Sequence, residues 1–246
     1  MKLSRGALFG YSLLALPLAM AALPIYVHVP KYYATTLGAP LAWIGIILFA
    51  ARLLDAVQDP LLGYLSDRAA AGRLGRFVFI LIGAPLLAAG FVALFQPPVS
   101  GSTALCWWLA GSLLIVYLGF SAASISYLAI GAELSSEYHE RTRVTAARAA
   151  LGILGVLLAA TLPEFLSHSS GQSPGLVRFS IIFVLVLLVC TLLTWRLSPP
   201  RPPAVSYQRR LWAEMFAPLR QVEFRWLIAV IIPSGVASAI PATLIL

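Results

Sequence analysis

Long apolar stretches constrain the fold of this chain more than any other feature of its sequence. A helix needs about 20 mostly apolar residues to cross the hydrocarbon layer of a membrane. Six stretches of about that length or longer lie near 7–29, 41–65, 77–96, 104–132, 144–166 and 177–195, and a seventh runs from Trp226 to Leu246. Because lipid leaves backbone polar groups without partners unless the chain is helical or closed into a barrel, continuous runs of this length predict transmembrane α-helices.

The composition excludes a soluble protein. Hydrophobic residues make up 60% of the chain and charged residues 11%, with a mean hydropathy of +0.90. Soluble domains contain about 45–50% apolar and about 25% charged residues. The net charge of +8 comes from short clusters between the apolar stretches, which is typical of residues flanking membrane spans and not of a nucleic-acid partner. The chain is therefore predicted to be a multi-pass membrane protein, with membrane lipid as a partner.

No catalytic or metal-binding pattern accompanies the spans. The three histidines, His28, His139 and His168, lie in different regions, and Cys106 and Cys190 have neither metal-ligand nor redox spacing. The sequence holds no recognisable nucleophile–base set and no phosphate-binding loop. We therefore predict no enzyme, no resident metal and no cofactor.

The basic residues predict how the spans are oriented. Thirteen lysines and arginines fall on the side of the amino terminus, whereas the other side has only Lys31 and Arg178. Loops rich in lysine and arginine remain in the cytoplasm. The amino terminus is therefore predicted to be cytoplasmic, in a multi-pass protein of the cell (inner) membrane.

The sequence predicts three regions. Residues 1–197 form an amino-terminal six-helix bundle, and residues 198–225 form a cytoplasmic linker that begins with the segment SPPRPP, in which prolines prevent a helix. Leu211, Met215 and Leu219 then follow at helical spacing, which predicts a short helix on the membrane surface. Residues 226–246 are expected to be the first helix of a truncated carboxy-terminal bundle, with the missing half of the same carrier as a partner.

Four charged residues fall well within the predicted spans. Arg52, Asp55 and Asp59 share one stripe of the second span, and Arg148 lies near the cytoplasmic end of the fifth. A charge at mid-bilayer costs about 2.5–3.5 kcal/mol on insertion scales, so such residues face the bundle interior and usually mark an ion or substrate route.

The two aspartates predict a cation site. Carboxylates one helical turn apart repel each other, so either one is protonated or a cation lies between them. Na⁺ prefers oxygen ligands, as other hard cations do, and the amide oxygen of Gln58 on the neighbouring face would add one. The alternative interpretation is a structural ion pair between Arg52 and Asp55, with Asp59 near the inner interface.

Two segments carry a resemblance to a known family. The first is ARLLDAVQDPLLGYLSDR at 51–68 followed by GRLGR at 72–76, and the second is ISYLAIGAEL at 125–134 followed by ERTRV at 140–144 and Arg148. They resemble the second-helix Arg-x-x-Asp-x-x-Asn-Asp-Pro signature and the neighbouring motifs of the sugar/cation symporters. This is the glycoside-pentoside-hexuronide family, which includes the melibiose carriers, within the major facilitator superfamily.

The resemblance implies an all-α fold and a set of roles. The fold would be a six-helix bundle built as two three-helix repeats of a major facilitator protein, followed by the start of a seventh helix. The implied cation ligands are Asp55, Asp59, Gln58 and Ser121. The implied substrate ligands are Arg148, Ser124 and Arg52, and the implied inner-gate residues are Asp67, Arg68, Glu133 and Arg141.

The implied function is symport of a small organic solute, sugar-type, driven by Na⁺ or H⁺ as the coupling ion. The first span lacks the acidic residue with which melibiose carriers bind sugar, and Leu128 replaces an aromatic residue in the fourth. Relatives of the family carry lysophospholipids, so the alternative substrate is a lipid or other amphiphile. Two further alternatives are an inactive truncated carrier and a non-transporting receptor or scaffold.

Overall fold

The chain is helical wherever its structure is described. A computed structural model describes residues 4–70, 74–134, 137–170, 172–198 and 221–244. Six helices in these residues are long and apolar enough to cross a membrane, and the same residues contain no strand. We name these helices α1 (Arg5–Thr36), α2 (Leu41–Ala69), α3 (Phe77–Phe95), α4 (Ser102–Glu133), α5 (Tyr138–Ser170) and α6 (Gln172–Leu197). The predicted all-α fold with six spans is confirmed.

The chain divides into two compact units, Met1–Ser206 and Tyr207–Leu246. The first contains α1–α6. The second contains α7 (Val222–Leu244), where the sequence predicts a seventh helix. The predicted surface helix of the linker 198–225 lies outside the described residues, apart from position 221, and stays a prediction.

Helix α1 is not a continuous α-helix. Pro17 has no N–H to donate to the Leu13 carbonyl, and that carbonyl instead accepts from Leu16 N–H at 3.2 Å. Further along, the segments Pro24–His28 and Tyr32–Thr36 are single π-helical turns, which are often found at functional sites. The π-turn Pro24–His28 carries Tyr26, a residue of the candidate site described below.

Glycines allow α3 and α4 to pack closely. A Cβ atom on Gly119 of α4 would lie 2.4 Å from the backbone nitrogen of Leu87, and one on Gly83 of α3 would lie 2.7 Å from the Gly119 carbonyl oxygen. Both distances are too short for any side chain, so the two backbones touch, as is common between membrane helices. This close packing fixes α4 against α3.

Contacts between helix termini define the two ends of the bundle. Arg76, just before α3, forms ion pairs with Asp67 of α2 and Glu133 of α4. The last residues of α2 and α4 therefore lie beside the start of α3, and we call this the charged end. At the opposite end, Tyr33 of α1 and Trp108 of α4 contact the last turn of α3. Neighbouring spans thus alternate in direction, and α2 and α4 run parallel.

The carboxyl end of α3 depends on side-chain donors from its neighbours. The carbonyls of Ala93 and Leu94 would normally accept from the residues four positions later, but these are Pro97 and Pro98, which have no N–H. The Trp108 indole N–H donates to the Ala93 carbonyl at 2.8 Å, and the Tyr33 hydroxyl donates to the Leu94 carbonyl at 3.1 Å. These two bonds join α1, α3 and α4 at the opposite end.

Removing either donor is expected to destabilise the bundle. Tyr33→Phe keeps the ring but leaves the buried Leu94 carbonyl without a donor, which costs about 1–3 kcal/mol. Thermal unfolding of the detergent-solubilised protein, followed by loss of the monodisperse peak, measures the effect. Tyr32→Phe is the matched control. Within the described residues, the hydroxyl of the neighbouring Tyr32 forms no hydrogen bond to a helix end. Equal melting temperatures for the two variants would contradict this role of Tyr33.

Candidate functional site

Asp55 lies at the centre of the candidate site. It is only 7% exposed, although most of the surrounding α2 surface is exposed. A buried carboxylate requires compensation by hydrogen bonds or by a positive charge. Asp55 has both, and its partners come from α2 and α4.

Three side chains donate to the Asp55 carboxylate. Arg52 Nη1 donates to Oδ2 at 2.9 Å, Gln58 Nε2 donates to Oδ1 at 3.1 Å, and Ser121 Oγ of α4 donates to Oδ1 at 2.9 Å. The structure therefore brings together four of the residues that the sequence singles out. The bond from Ser121 also attaches α2 to α4 in the middle of both spans.

Asp59 differs from Asp55 in that one of its oxygens is unsatisfied. Asp59 lies one turn further along α2 and is partly buried. Its Oδ1 atom is inaccessible to solvent and has no hydrogen-bond partner in the described residues. A buried carboxylate oxygen without a donor is unfavourable. Asp59 Oδ1 is therefore a buried acceptor whose hydrogen-bonding capacity is unfilled within the described residues.

The fixed charges of the cluster do not cancel. Arg52 contributes one positive charge, and Asp55 and Asp59 each contribute a negative charge when ionised. The cluster then carries one uncompensated negative charge within a membrane span. One monovalent cation would neutralise it. The simple alternative of an isolated Arg52–Asp55 pair accounts for the short Arg52–Asp55 contact but not for the buried oxygen of Asp59.

Two tyrosines that the sequence does not single out surround Arg52. Its guanidinium carbon lies 5.4 Å from the ring centroid of Tyr26 on α1 and 5.8 Å from that of Tyr117 on α4. Both distances are within the range of cation–π attraction. Sequence spacing alone does not reveal this arrangement, because the three residues come from three helices.

The predicted substrate ligands Arg148 and Ser124 have other neighbours. The hydroxyl of Ser124 donates weakly to the Ser121 carbonyl at 3.5 Å. Arg148 interacts with the hydroxyl of Tyr11, whose ring stacks on Tyr127 at a centroid distance of 4.6 Å. Their proposed substrate contacts stay predictions.

The charged end of the bundle contains an ion-pair network centred on Arg76. Its guanidinium contacts Asp67 and lies 2.9 Å from Glu133 Oε1. Partial burial disfavours the charged form of Arg76, but hydrogen bonds to Asp67 and Glu133 outweigh that effect and raise its pKa. The predicted gate residues Asp67 and Glu133 thus share the cation Arg76, which is not among the gate residues that the resemblance implies.

The other two predicted gate residues lie outside this network. Arg68 is exposed and forms no ion pair within the described part of the chain. Arg141 is exposed in the first turn of α5, where its N–H donates to the Glu137 carbonyl at 3.0 Å. Nearby, the buried Glu140 pairs with Arg143 at 2.6 Å. The gating roles of Arg68 and Arg141 stay predictions.

Comparison with known proteins identifies similar transporters. The family described as MFS/sugar transport protein matches residues 8–246. The chain is 30% identical to the uncharacterized symporter YjmB of Bacillus subtilis (strain 168) over 67% of its own length and 37% of that protein's. It is 23% identical to the inner membrane symporter YicJ of Escherichia coli (strain K12), over 75% and 42% of the respective lengths.

A third similar protein has a lipid in its name. The chain is 28% identical to the sodium-dependent lysophosphatidylcholine symporter 1 of Xenopus tropicalis, over 55% of this chain and 24% of that protein. The chain thus spans less than half of the length of each of these relatives. The similarity therefore applies to the matched segments and not to the rest of each relative.

The network at the charged end gives a stability prediction. Arg76→Gln leaves Asp67 and Glu133 close together without their cation. It is expected to cost about 1 kcal/mol, because ion pairs to solvent-exposed carboxylates are individually weak. Arg68→Gln removes a neighbouring charge that forms no described ion pair, and serves as the matched control. Thermal unfolding at low and high salt measures both. A salt-insensitive loss, or equal losses in the two variants, would refute the network.

Proposed function

The chain belongs to the MFS/sugar transport protein family, and from this premise we propose that it forms the cation-binding bundle of a secondary active transporter. The transporter would move a small organic solute together with Na⁺ or H⁺. The observation that carries this proposal is the buried oxygen of Asp59, which has no hydrogen-bond partner in the part of the chain that the structure describes. It lies one turn from Asp55, a carboxylate that already has its partners.

The two carboxylates have unequal roles in this proposal. Asp55 is fixed by Arg52, Gln58 and Ser121, so its negative charge is compensated in the empty site. Asp59 is the carboxylate that receives the coupling ion. The oxygen of Ser121 and the amide oxygen of Gln58 would complete the oxygen ligands that Na⁺ prefers. A proton on Asp59 would remove the same charge without needing additional ligands.

Occupation of the site would control movement of the bundle. With the site empty, the cluster carries a net negative charge, and burying a charge within the membrane costs about 2.5–3.5 kcal/mol on insertion scales. A bound cation removes that penalty. The transporter would therefore change between its two accessible states with the cation site filled, and solute and cation would cross in the same cycle.

The substrate is proposed from the family likeness and from residues of α1, α4 and α5. A sugar-type solute follows from the likeness to sugar/cation symporters, with Arg148 and Ser124 as ligands. An amphiphile is the second candidate, because the exposed Leu128 lies one turn beyond Ser124 on α4 and α1 has no acidic residue. The sodium-dependent lysophosphatidylcholine symporter among the relatives supports the second candidate. Likeness to the melibiose carriers in particular remains part of this proposal.

The orientation of the bundle is also proposed. The basic residues near the ends of the spans favour a cytoplasmic charged end. Arg76, with Asp67 and Glu133, would then lie on the cytoplasmic side and hold the ends of α2 and α4 together. Release of this network would accompany opening of the solute pathway to the cytoplasm.

Neutralising Asp59 tests the coupling role. Asp59→Asn is expected to abolish accumulation driven by a Na⁺ or H⁺ gradient, because the exchangeable negative charge is gone. Uptake of radiolabelled melibiose and of lysophosphatidylcholine into membrane vesicles, with each gradient imposed separately, measures the effect and distinguishes the two substrate classes.

Glu223→Gln is the control for this experiment. It removes a carboxylate that is exposed on α7 and that belongs neither to the cation cluster nor to the network around Arg76. It is expected to keep its dependence on the cation gradient. Gradient-driven accumulation that survives in Asp59→Asn would overturn the coupling role, and a receptor or scaffold would then explain the fold better.

A further inference from the structure

The guanidinium of Arg52 is held by groups from three helices. Arg52 belongs to α2, Tyr26 to the π-turn Pro24–His28 of α1, and Tyr117 to α4. The two rings lie 5.4 and 5.8 Å from the guanidinium carbon, while Nη1 donates to Asp55 Oδ2 at 2.9 Å. We call Tyr26, Arg52 and Tyr117 the aromatic clamp.

We propose that Tyr26 and Tyr117 are positioning residues of the cation site, which hold Arg52 against Asp55 as its permanent counter-ion. The inference rests on the proposed function and deepens it. The aromatic clamp keeps Arg52 paired with Asp55. Asp59 alone then binds the mobile cation.

Arg52 needs such a clamp because its own helix does not confine it. The side chain is 57% exposed, and its ion pair with Asp55 spans only three residues of α2. Exposed pairs of this kind are weak, since holding two flexible side chains in one geometry loses entropy. An arginine free to rotate away would leave Asp55 uncompensated. Stacked aromatic faces favour a guanidinium and restrict it to the site.

The two tyrosines supply this restriction from different environments. Tyr117 is 5% exposed and lies one turn before Ser121, which donates to Asp55. Its ring is thus fixed by the same part of α4 that contacts the carboxylate. Tyr26 is 44% exposed and reaches Arg52 from the π-turn of α1. Tyr117 therefore forms the buried wall of the aromatic clamp, and Tyr26 forms the outer wall.

The aromatic clamp gives Arg52 a role other than substrate binding. The sequence suggests Arg52 as a substrate ligand, but its guanidinium already contacts Asp55 and both rings. As a fixed cation beside the empty site, it repels an incoming Na⁺ and limits the site to one ion. Loss of the aromatic clamp would remove that repulsion and leave the carboxylate of Asp55 free to bind Na⁺.

Na⁺ binding to the purified full chain, measured by calorimetry at pH 8, tests the inference. Tyr117→Leu is expected to bind Na⁺ at least threefold more tightly, or to bind a second Na⁺, because Arg52 no longer remains at Asp55. Tyr117→Phe keeps the ring and is expected to keep the parent affinity. Tyr26→Leu is expected to shift the affinity in the same direction as Tyr117→Leu, and it removes a more exposed side chain, so the test does not depend on the folding of Tyr117→Leu.

A double variant separates positioning from a general structural effect. If Tyr117 acts through Arg52, the double variant Arg52→Gln/Tyr117→Leu binds Na⁺ no differently from Arg52→Gln alone. Tyr127→Leu is the matched control, because it also removes a buried tyrosine from α4, and the ring of Tyr127 stacks on Tyr11 and not on Arg52. It is expected to lower thermal stability but to keep the Na⁺ affinity.

The possible results distinguish this inference from the proposed function. Additive effects of the two substitutions, or parent-like affinity in both Tyr117→Leu and Tyr26→Leu, overturn the positioning role while leaving the cation site intact. Equal shifts in Tyr117→Phe and Tyr117→Leu also overturn it, since the hydroxyl and not the ring would then matter. Absence of Na⁺ binding in the parent chain overturns both the inference and Na⁺ as the coupling ion.

Discussion

The hydrogen bond between Ser121 and Asp55 connects the architecture of the bundle to its chemistry. It holds a buried carboxylate between two parallel spans. Burial strengthens the interaction of that carboxylate with the surrounding charges. Arg52 and Gln58 also donate to Asp55, whereas Asp59 Oδ1 has no hydrogen-bond partner among the described residues. Further along the same pair of helices, Ser66 and Ser126 form a buried hydrogen bond of 2.8 Å. The interface between α2 and α4 therefore contains two polar contacts, one at Asp55 and one at Ser66. Asp59 lies between these two residues in sequence.

This interface keeps its geometry because the rest of the bundle satisfies its own backbone and packing requirements. The glycine contact between α3 and α4 brings the two backbones together without space for side chains. At the opposite end, Trp108 and Tyr33 donate hydrogen bonds to two carbonyls of α3. Pro97 and Pro98 cannot donate to these carbonyls because they have no N–H. In lipid no water replaces a missing donor. Helix α4 is thus fixed along its length, and Ser121 and Tyr117 on it can position Asp55 and Arg52.

Hydropathy predicts most of the fold but only part of the site. The six spans follow from apolar length, and the joint position of Arg52, Asp55 and Gln58 follows from helical spacing. The contact with Ser121 required the family resemblance. The contacts of Arg76 and Tyr117 do not follow from the sequence, because they depend on which helices pack together. The place of Tyr26 depends on a π-turn, which a regular periodicity of 3.6 residues does not anticipate.

We propose that the cluster of Arg52, Asp55 and Asp59 has one uncompensated negative charge, which one monovalent cation neutralises. The most direct measurement is the number of Na⁺ ions bound per chain at saturation, by equilibrium dialysis of the purified protein against ²²Na⁺. We expect one Na⁺ per chain, displaced as protons are added. Saturation at two ions per chain, or binding that protons do not displace, would refute a single cation site in this cluster.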